Sequence, residues 1–214
     1  MSASGFISIP DLSGAVLAGG LSRRMGQDKA LTPIPGTRTT MLDAVLAALA
    51  TVTTDIMVVA PRREGYERSN ARLIADVPGP PGPLRGIAAA LTAARHDRCL
   101  VLACDLPFAD PRLLRWMATE VEPADAVIPV TSGHSRQGGN RVLQTLHAIY
   151  RRSCMASIER QLAAGDGGTT RFLAELNVTF VDEQRLRLID PRLRSFVNVN
   201  STDDWPSTRA NGER

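Results

Sequence analysis

The stretch Gly14–Leu31 reads G-A-V-L-A-G-G-L-S-R-R-M-G-Q-D-K-A-L. It begins with a short apolar run, which is typical of a buried strand. Two adjacent glycines follow this run at once, so the backbone can turn sharply and approach a ligand closely. Successive N–H groups in such a loop form a concave site for an anion, and phosphate suits it well. The stretch therefore predicts a strand that leads directly into a phosphate-binding loop.

The lysine in this stretch strengthens that interpretation. The spacing matches neither the dinucleotide fingerprint nor the P-loop, and for the glycines alone a plain turn is an equal alternative. However, the chain contains 24 arginines and a single lysine, Lys29. A compact ammonium on a thin stem fits places where a planar guanidinium does not. We therefore expect Lys29 to bring a positive charge back to the phosphate site, although a lysine that survived by chance is the alternative.

Short apolar runs alternate with longer helical patterns along most of the chain. Continuous Val, Ile and Leu runs are typical of strands that are covered on both faces, as in parallel sheets. Strand and helix in alternation predict an α/β fold with an open, mostly parallel, doubly wound sheet. The predicted strands are Gly14–Leu17, Asp55–Ala60, Arg72–Ala75, Cys99–Ala103 and Ala126–Val130, and the predicted helices are Thr40–Ala50, Leu84–Arg95 and Pro111–Glu120.

The later part of the chain has a less regular pattern. Residues 136–177 are predicted to be mostly helical, and Val178–Val181 and Phe196–Val199 are predicted to be late strands. A chain of 214 residues can fill one hydrophobic core. We therefore expect a single domain over residues 12–205, with loose termini at 1–11 and 206–214.

Two further loops follow predicted strands, and in open α/β sheets ligands bind beyond the carboxyl ends of the strands. The first, Asp76–Gly86, reads D-V-P-G-P-P-G-P-L-R-G. Proline makes this loop rigid, and glycine allows it to approach a ligand. The Asp76 carboxylate could accept hydrogen bonds from a ligand's hydroxyl or base. A rigid crossover without a binding role is the alternative.

The second loop follows the apolar run in Cys99–Phe108, which reads C-L-V-L-A-C-D-L-P-F. Asp105 would emerge at the ligand edge of the sheet. It could instead cap a helix, but Asp110 is better placed for that because it directly precedes Pro111. A lone carboxylate beside a phosphate site is what Mg²⁺ uses, with phosphate oxygens and waters as its other ligands. Asp105 is therefore the candidate magnesium ligand.

The composition limits the kinds of partner and the cellular compartment that we expect for this chain. The net charge of +3 comes without a basic run or interleaved aromatic residues, which argues against nucleic-acid binding. No apolar segment approaches the roughly 18–20 residues that a membrane span needs. The three cysteines show no C-x-x-C spacing, and the chain has no signal-like start. We therefore expect a cytoplasmic protein that contacts neither membranes nor nucleic acid.

These loops together resemble the molybdenum cofactor guanylyltransferases. The family's L-A-G-G-x-S-x-R-M-G-x-D-K-A-L signature is matched throughout Leu17–Leu31, G-P-L-x-G-I at Gly82–Ile87 and C-D-x-P-F at Cys104–Phe108. Two weaker similarities lie at Gly139–Tyr150 and Phe196–Asn200. Each lacks a proline of the family pattern: Thr145 replaces the first, and the second is missing after Ser201.

The resemblance implies a Rossmann-like nucleotidyltransferase that transfers GMP from GTP to the terminal phosphate of molybdopterin and releases pyrophosphate. The A-G-G order resembles the guanylyl enzymes, since the cytidylyl enzymes carry A-A-G. The implied cofactor is Mg²⁺, and the implied partners are molybdopterin-delivering and molybdoenzyme-maturation proteins. The implied nucleotide-binding residues are Leu17, Ala18, Gly19, Gly20, Lys29, Asp76, Gly82 and Asp105; Lys29, Asp105 and Arg24 would be catalytic, Asp105 would bind the metal, and Asn198 and Asn200 would bind the acceptor.

Two alternatives stay open. A nucleotidyltransferase of the same fold could act on another small phosphorylated acceptor, such as 2-phospholactate or a sugar phosphate, because both missing prolines lie in the acceptor half. A non-catalytic nucleotide- or pterin-binding partner is the other alternative. The presence of both Lys29 and Asp105 argues against it, because binding alone does not need the transfer chemistry.

Overall fold

The structure is a computed structural model that describes residues 8–18, 28–60, 65–68, 70–119, 124–133 and 141–199. In this part of the chain one eight-stranded sheet has the order β3-β2-β1-β4-β7-β5-β6, and β8 pairs with β5 outside this path. The strands are β1 (Leu12–Leu17), β2 (Asp55–Val59), β3 (Arg72–Ile74), β4 (Arg98–Ala103), β5 (Ala126–Ser132), β6 (Arg141–Leu143), β7 (His147–Arg151) and β8 (Val178–Val181).

Helices cover both faces of this sheet. They are α1 (Met41–Ala50), α2 (Leu84–Ala93), α3 (Pro111–Thr119), α4 (Met155–Ala163) and α5 (Glu183–Arg187). Short 3₁₀ helices lie at Lys29–Leu31, Arg152–Cys154, Arg171–Glu175 and Arg194–Phe196. Successive residues of a strand point to opposite faces. Accordingly, Val16 packs in the core under α1 and α3, and Ala15 packs in the core under α2 and α4.

The predicted architecture is confirmed. β1 pairs in parallel with both β2 and β4, and β3 continues the parallel set. Every residue of β2 and of β4 is buried, as expected for strands covered on both faces. The predicted helix starts also hold. Thr40 forms a capping box with Asp43, and the Asp110 carboxylate accepts the Arg112 N–H at 2.8 Å, immediately before Pro111.

The prediction of a mostly helical segment over residues 136–177 is wrong at its start. β6 and β7 occupy residues 141–143 and 147–151, and β7 lies antiparallel between β4 and β5. Helix α4 and the 3₁₀ helix at Arg171–Glu175 follow only afterwards. The run H-A-I-Y is short and buried throughout, and hydrophobic periodicity alone does not separate such a strand from a buried helix.

The predicted strand at Phe196–Val199 is also wrong. A 3₁₀ helix ends at Phe196, and the residues after it pair with no strand among those described. The apolar residues of this segment are explained by packing instead. The Phe196 ring lies 4.7 Å from the His147 ring, and Val199 is 2% exposed. The Val199 N–H donates to the Asp105 carbonyl at 3.0 Å, which attaches the segment to the loop after β4.

The predicted loose termini fall mostly outside the described residues, since 1–7 and 200–214 are not described. Within the first segment, the Ile9 N–H donates to the Val52 carbonyl at 2.7 Å, and Asp11 forms an ion pair with Arg98. Contacts with the folded chain therefore extend back to Ile9.

A buried carboxylate holds the amino-terminal edge of the sheet together. Asp55, at the start of β2, accepts hydrogen bonds from the Ser13 hydroxyl at 2.6 Å, from Arg72 at 2.7 Å and from the Arg95 N–H at 3.0 Å. Burial opposes its ionisation, but these hydrogen bonds outweigh burial and hold the pKa of Asp55 below its usual value. The charge thus joins β1, β2, β3 and the end of α2.

We predict that Asp55→Ala lowers the free energy of unfolding by about 3 kcal/mol, because it removes the hydrogen bonds of a buried carboxylate and leaves the fully buried Ser13 hydroxyl without its acceptor. Asp97→Ala is the matched control, since the Asp97 side chain is 53% exposed in its pair with Arg151. That change should cost less than about 1 kcal/mol. Urea denaturation of both variants measures the difference, and equal losses would contradict the assigned role of Asp55.

Candidate active site

The carboxyl ends of β1 and β4 lie side by side. Leu17 pairs with Ala103 in the parallel register, and the Cys104 N–H donates to the Leu17 carbonyl at 3.1 Å. On the other side of β1, the Ala18 N–H donates to the Val59 carbonyl at 2.9 Å. The loops after β1, β2 and β4 therefore start from one edge, where the sequence places its candidate functional residues.

At this edge, Lys29 and Asp105 form an ion pair. The Lys29 Nζ lies 2.9 Å from Asp105 Oδ2, although the two residues are 76 positions apart in the sequence. Their side chains are 16% and 23% exposed, so the pair is shielded but open to a ligand. The structure thus brings together the two residues that sequence analysis selected for phosphate and for metal.

The Lys29 backbone is held in a capped 3₁₀ turn. Asp28 Oδ1 accepts the Ala30 N–H at 3.1 Å, as an N-cap carboxylate does. Ala30 is 1% exposed and belongs to the core. The Leu31 side chain packs against Gly65, where a Cβ would lie only 2.9 Å from Leu31 Cδ1. The lysine therefore extends from a backbone that is fixed on both sides.

Tyr66, which sequence analysis missed, contacts both flanks of residues 19–27. Its hydroxyl lies 2.5 Å from Asp28 Oδ2 and 3.1 Å from the Ala18 carbonyl oxygen. The ring is 1% exposed. Tyr66 falls outside every quoted motif, and its only signal in the sequence is that the chain contains just two tyrosines.

Asp76 lies beside the end of β1 and carries a cationic partner. Arg85 Nη2 lies 3.1 Å from Asp76 Oδ2. A Cβ added at Gly86 would lie 3.1 Å from Leu17 Cδ1 and 3.6 Å from Asp76 Oδ1, so both side chains converge on this glycine. Sequence analysis did not assign a role to Arg85, which fills the variable position of G-P-L-x-G-I.

Gly82 has a packing reason for lacking a side chain. Its φ is +147°, and an added Cβ would lie 2.3 Å from the Gly167 carbonyl oxygen. The Leu84 N–H also donates to that carbonyl, at 3.2 Å. The backbones of the two loops therefore meet directly at this point. A nucleotide contact by Gly82 stays a prediction.

Of the remaining predicted site residues, the structure describes only Asn198. Asn198 is exposed, and it directly precedes Val199, whose N–H is bonded to the Asp105 carbonyl. The segment with the predicted acceptor residues thus reaches the Lys29–Asp105 pair. Four predicted residues lie outside the described part of the chain: Gly19, Gly20, Arg24 and Asn200.

The described residues of this edge include one carboxylate, that of Asp105, which fits a metal ion bound partly through its substrate. Among them, no group of three or more His, Cys, Asp or Glu side chains could hold a metal ion. Mg²⁺ commonly binds through one or two carboxylates, with substrate phosphates and waters as its other ligands. Asp105 supplies one carboxylate at the ligand edge.

Within the same described ranges, no helix has the length and apolar character that crossing a membrane requires.

His147 supports this region from within the core. It is fully buried on β7 and packs its ring against Phe196. Burial lowers the pKa of His147 to about 4, against smaller opposing effects of the Ser195 backbone and the Asp190 carboxylate. The imidazole is therefore neutral at physiological pH and serves packing.

Comparisons with known proteins agree with this arrangement. A family model described as the MobA-like NTP transferase domain matches residues 14–180. A relative from Pelotomaculum thermopropionicum named probable molybdenum cofactor guanylyltransferase is 35% identical, over 94% of this chain and 93% of its own length. A relative from Desulfosudis oleivorans named molybdenum cofactor guanylyltransferase is 33% identical, over 93% of this chain and 95% of its own.

A solved structure gives the same result. It is the molybdopterin-guanine dinucleotide biosynthesis protein A from Archaeoglobus fulgidus, which is 30% identical to this chain. The two superpose with a TM-score of 0.72, covering 90% of this chain and 94% of the other.

We predict that acidification destabilises the protein through His147. The unfolded chain takes up this proton first, because the ordinary pKa of histidine is 6.5 and the folded value is about 4. The loss of stability is absent above pH 6.5, the ordinary pKa of histidine. It grows as the pH falls towards about 4, the pKa of His147 in the folded protein. Between pH 7.5 and pH 5 the protein should lose about 2 kcal/mol more of its free energy of unfolding than His147→Leu does.

Urea denaturation at the two pH values measures this difference, in which the carboxylates common to both proteins cancel. His96→Gln is the control, because His96 lies partly exposed at the opposite edge of the sheet. It should keep the parent's pH dependence, and a parent-like slope in His147→Leu would contradict the prediction.

Proposed function

We propose a guanylyl transfer reaction for this chain, because it belongs to the MobA-like NTP transferase family and its relatives carry that activity in their names. In the proposed reaction, a terminal phosphate oxygen of molybdopterin attacks the α-phosphorus of GTP. The bond from that phosphorus to the bridging oxygen breaks, and pyrophosphate leaves with the electron pair. The product is the guanine dinucleotide form of the cofactor.

The observation that carries the proposal is the Lys29–Asp105 pair at the carboxyl ends of β1 and β4. One anionic phosphate must approach another in this reaction, so catalysis depends on positioning and on charge neutralisation. Fixed cationic groups in a partly shielded site stabilise the charge that develops during transfer. A protein nucleophile is not needed, since the acceptor phosphate itself attacks.

In the proposed mechanism the ion pair opens when substrate binds. Lys29 exchanges the Asp105 carboxylate for oxygens of the triphosphate. Asp105 would hold Mg²⁺, which would supply additional positive charge at the phosphate oxygens. Arg24 would add a further cationic contact, and the backbone of Leu17, Ala18, Gly19 and Gly20 would surround the phosphates.

The two ends of the site would separate the two substrates. Asp76 and Gly82 would contact the guanosine half of GTP, on the side of α2. Asn198 and Asn200 would contact the pterin, on the side of the Asp105 loop. The hydrogen bond from Val199 to the Asp105 carbonyl supports this placement, because it connects the proposed acceptor segment to the proposed metal ligand.

The proposal extends to partners and compartment. GTP and molybdopterin are the proposed substrates, and proteins that deliver molybdopterin or mature molybdoenzymes are the proposed transient partners. Three free cysteines, at Cys99, Cys104 and Cys154, are typical of a reducing compartment such as the cytoplasm. We therefore place the reaction there, with residues 12–205 working as one domain.

We predict that the purified protein releases pyrophosphate when given GTP, Mg²⁺ and molybdate-loaded molybdopterin. A coupled pyrophosphate assay follows the reaction, and mass spectrometry identifies the guanylated product. Equal turnover with CTP would contradict the nucleotide assignment. Turnover with a sugar phosphate or 2-phospholactate in place of molybdopterin would move the assignment to another acceptor, and GTP binding without pyrophosphate release would favour a non-catalytic partner.

We predict that Lys29→Arg lowers kcat/KM by at least about 100-fold, because a guanidinium cannot replace a compact ammonium in this fixed site. Arg112→Lys is the matched control. It also exchanges one cation for another, but the Arg112 side chain is 74% exposed in its pair with Asp110. The control should keep the parent rate, and an unchanged rate in Lys29→Arg would refute the argument from the single lysine.

We predict that Asp105→Asn abolishes turnover and that raising the Mg²⁺ concentration does not restore it. An amide keeps the shape of the carboxylate but loses the charge that Mg²⁺ requires. Circular dichroism and urea denaturation serve as folding controls. A folded Asp105→Asn protein with parent activity would remove Asp105 from the mechanism.

A further inference from the structure

We infer that Tyr66 is a positioning residue that sets the place of Lys29 relative to the end of β1. This inference deepens the proposed function and rests on it for its kinetic consequence. It comes from the contacts of one buried hydroxyl, which connects two points of the chain that are ten positions apart.

The Tyr66 hydroxyl has two partners among the described residues. The Ala18 carbonyl oxygen belongs to the residue that follows β1, and the Ala18 N–H is bonded to Val59 of β2. Asp28 Oδ2 belongs to the residue that precedes Lys29. A phenol has a single proton, which the nearer and charged carboxylate accepts more strongly. The hydroxyl therefore holds Asp28 beside the end of the sheet.

Tyr66 itself is held in a fixed position by the core and by its own turn. Its ring is part of the hydrophobic core. The turn that carries it is attached to α1, because Arg68 Nε donates to Asp43 Oδ1 at 2.6 Å and Arg68 Nη1 donates to the Gly65 carbonyl at 2.7 Å. Asp43 is also the residue that closes the capping box of α1. Tyr66 thus presents its hydroxyl from a fixed base.

Asp28 connects Tyr66 to Lys29, its neighbour in the sequence. Asp28 uses its two carboxylate oxygens for different partners: Oδ2 for Tyr66 and Oδ1 for the Ala30 N–H of the 3₁₀ turn. The same turn contacts the Tyr66 loop a second time, where Leu31 packs on Gly65. Lys29 lies between these two contacts. Any displacement of Asp28 therefore moves the backbone from which the Lys29 ammonium extends.

A role in packing alone does not explain the hydroxyl. A phenylalanine would fill the same core volume, whereas a buried tyrosine hydroxyl needs a polar partner. Here the partner is a charged carboxylate, and it adjoins the residue proposed to bind the triphosphate. Small errors in the placement of a catalytic group reduce the rate strongly.

The structural half of the inference is tested without substrate, by hydrogen–deuterium exchange on Tyr66→Phe. We expect faster exchange at the amides of Ala30, Leu31 and Thr32, which depend on the Asp28 cap and the turn behind it. Tyr150→Phe is the matched control. Tyr150 is equally buried and donates to the Thr145 carbonyl at 2.7 Å in the core on the other face of the sheet. The control should leave these amides unchanged, and unchanged exchange in Tyr66→Phe would overturn the inference.

The functional half is tested by steady-state kinetics on the same two variants. In Tyr66→Phe we expect the KM for GTP to rise about tenfold, with the KM for molybdopterin unchanged. Partial unfolding would instead lower kcat and leave both KM values alone, so this pattern separates positioning from stability. Tyr150→Phe should keep the parent KM for GTP. An unchanged KM for GTP in Tyr66→Phe would overturn the inference.

A double-variant cycle tests the route through Asp28. Asp28→Asn keeps a side chain that can cap a helix but removes the charged acceptor of the Tyr66 hydrogen bond. If Tyr66 acts through Asp28, the protein with both Tyr66→Phe and Asp28→Asn should show a KM for GTP no higher than that of the worse single variant. If the two substitutions instead multiply their effects on the KM for GTP, Tyr66 does not act through Asp28. Absence of pyrophosphate release by the parent protein would refute the proposed function instead, and the exchange experiment would still decide the structural half.

Discussion

The parallel pairing of β1 with β4 is the constraint on which the rest of the site depends. It aligns Leu17 with Ala103, so the loops after these strands begin as neighbours. Lys29 and Asp105 are 76 positions apart in the sequence. The pairing of β1 with β4 brings the loops that carry them to one edge of the sheet. Parallel strands that are paired in this way end at the same edge, where Lys29 and Asp105 form their ion pair. Asp55 lies at the opposite edge and accepts a hydrogen bond from Ser13 of β1.

Two residues of the Gly82–Ile87 motif make contacts that were not expected from the sequence. Gly82 lies in a nucleotide-binding motif by resemblance, yet its backbone meets Gly167 so closely that no side chain would fit. Arg85 fills a variable position, yet it pairs with the candidate nucleotide-binding residue Asp76. The close approach of two loops therefore requires a glycine at position 82, and Arg85 places a positive charge beside Asp76.

Sequence reasoning predicted the parallel half of the fold well and the remainder less well. Continuous apolar runs identified β1, β2 and β4, because strands covered on both faces have a strong local signal. The run H-A-I-Y of β7 does not distinguish a strand from a buried helix, and tertiary pairing decides its antiparallel position between β4 and β5. Phe196 looked like part of a strand because it is apolar, but it packs on His147. Tyr66 reaches its partners only after the chain folds, so no spacing could reveal it.

A crystal structure of the protein with Mg²⁺ and a non-hydrolysable GTP analogue tests the central claim most directly. We expect the Lys29–Asp105 contact to open, with the Lys29 Nζ within hydrogen-bonding distance of triphosphate oxygens and the Asp105 carboxylate on the metal. An ordered nucleotide bound elsewhere, with the ion pair intact, would contradict the account.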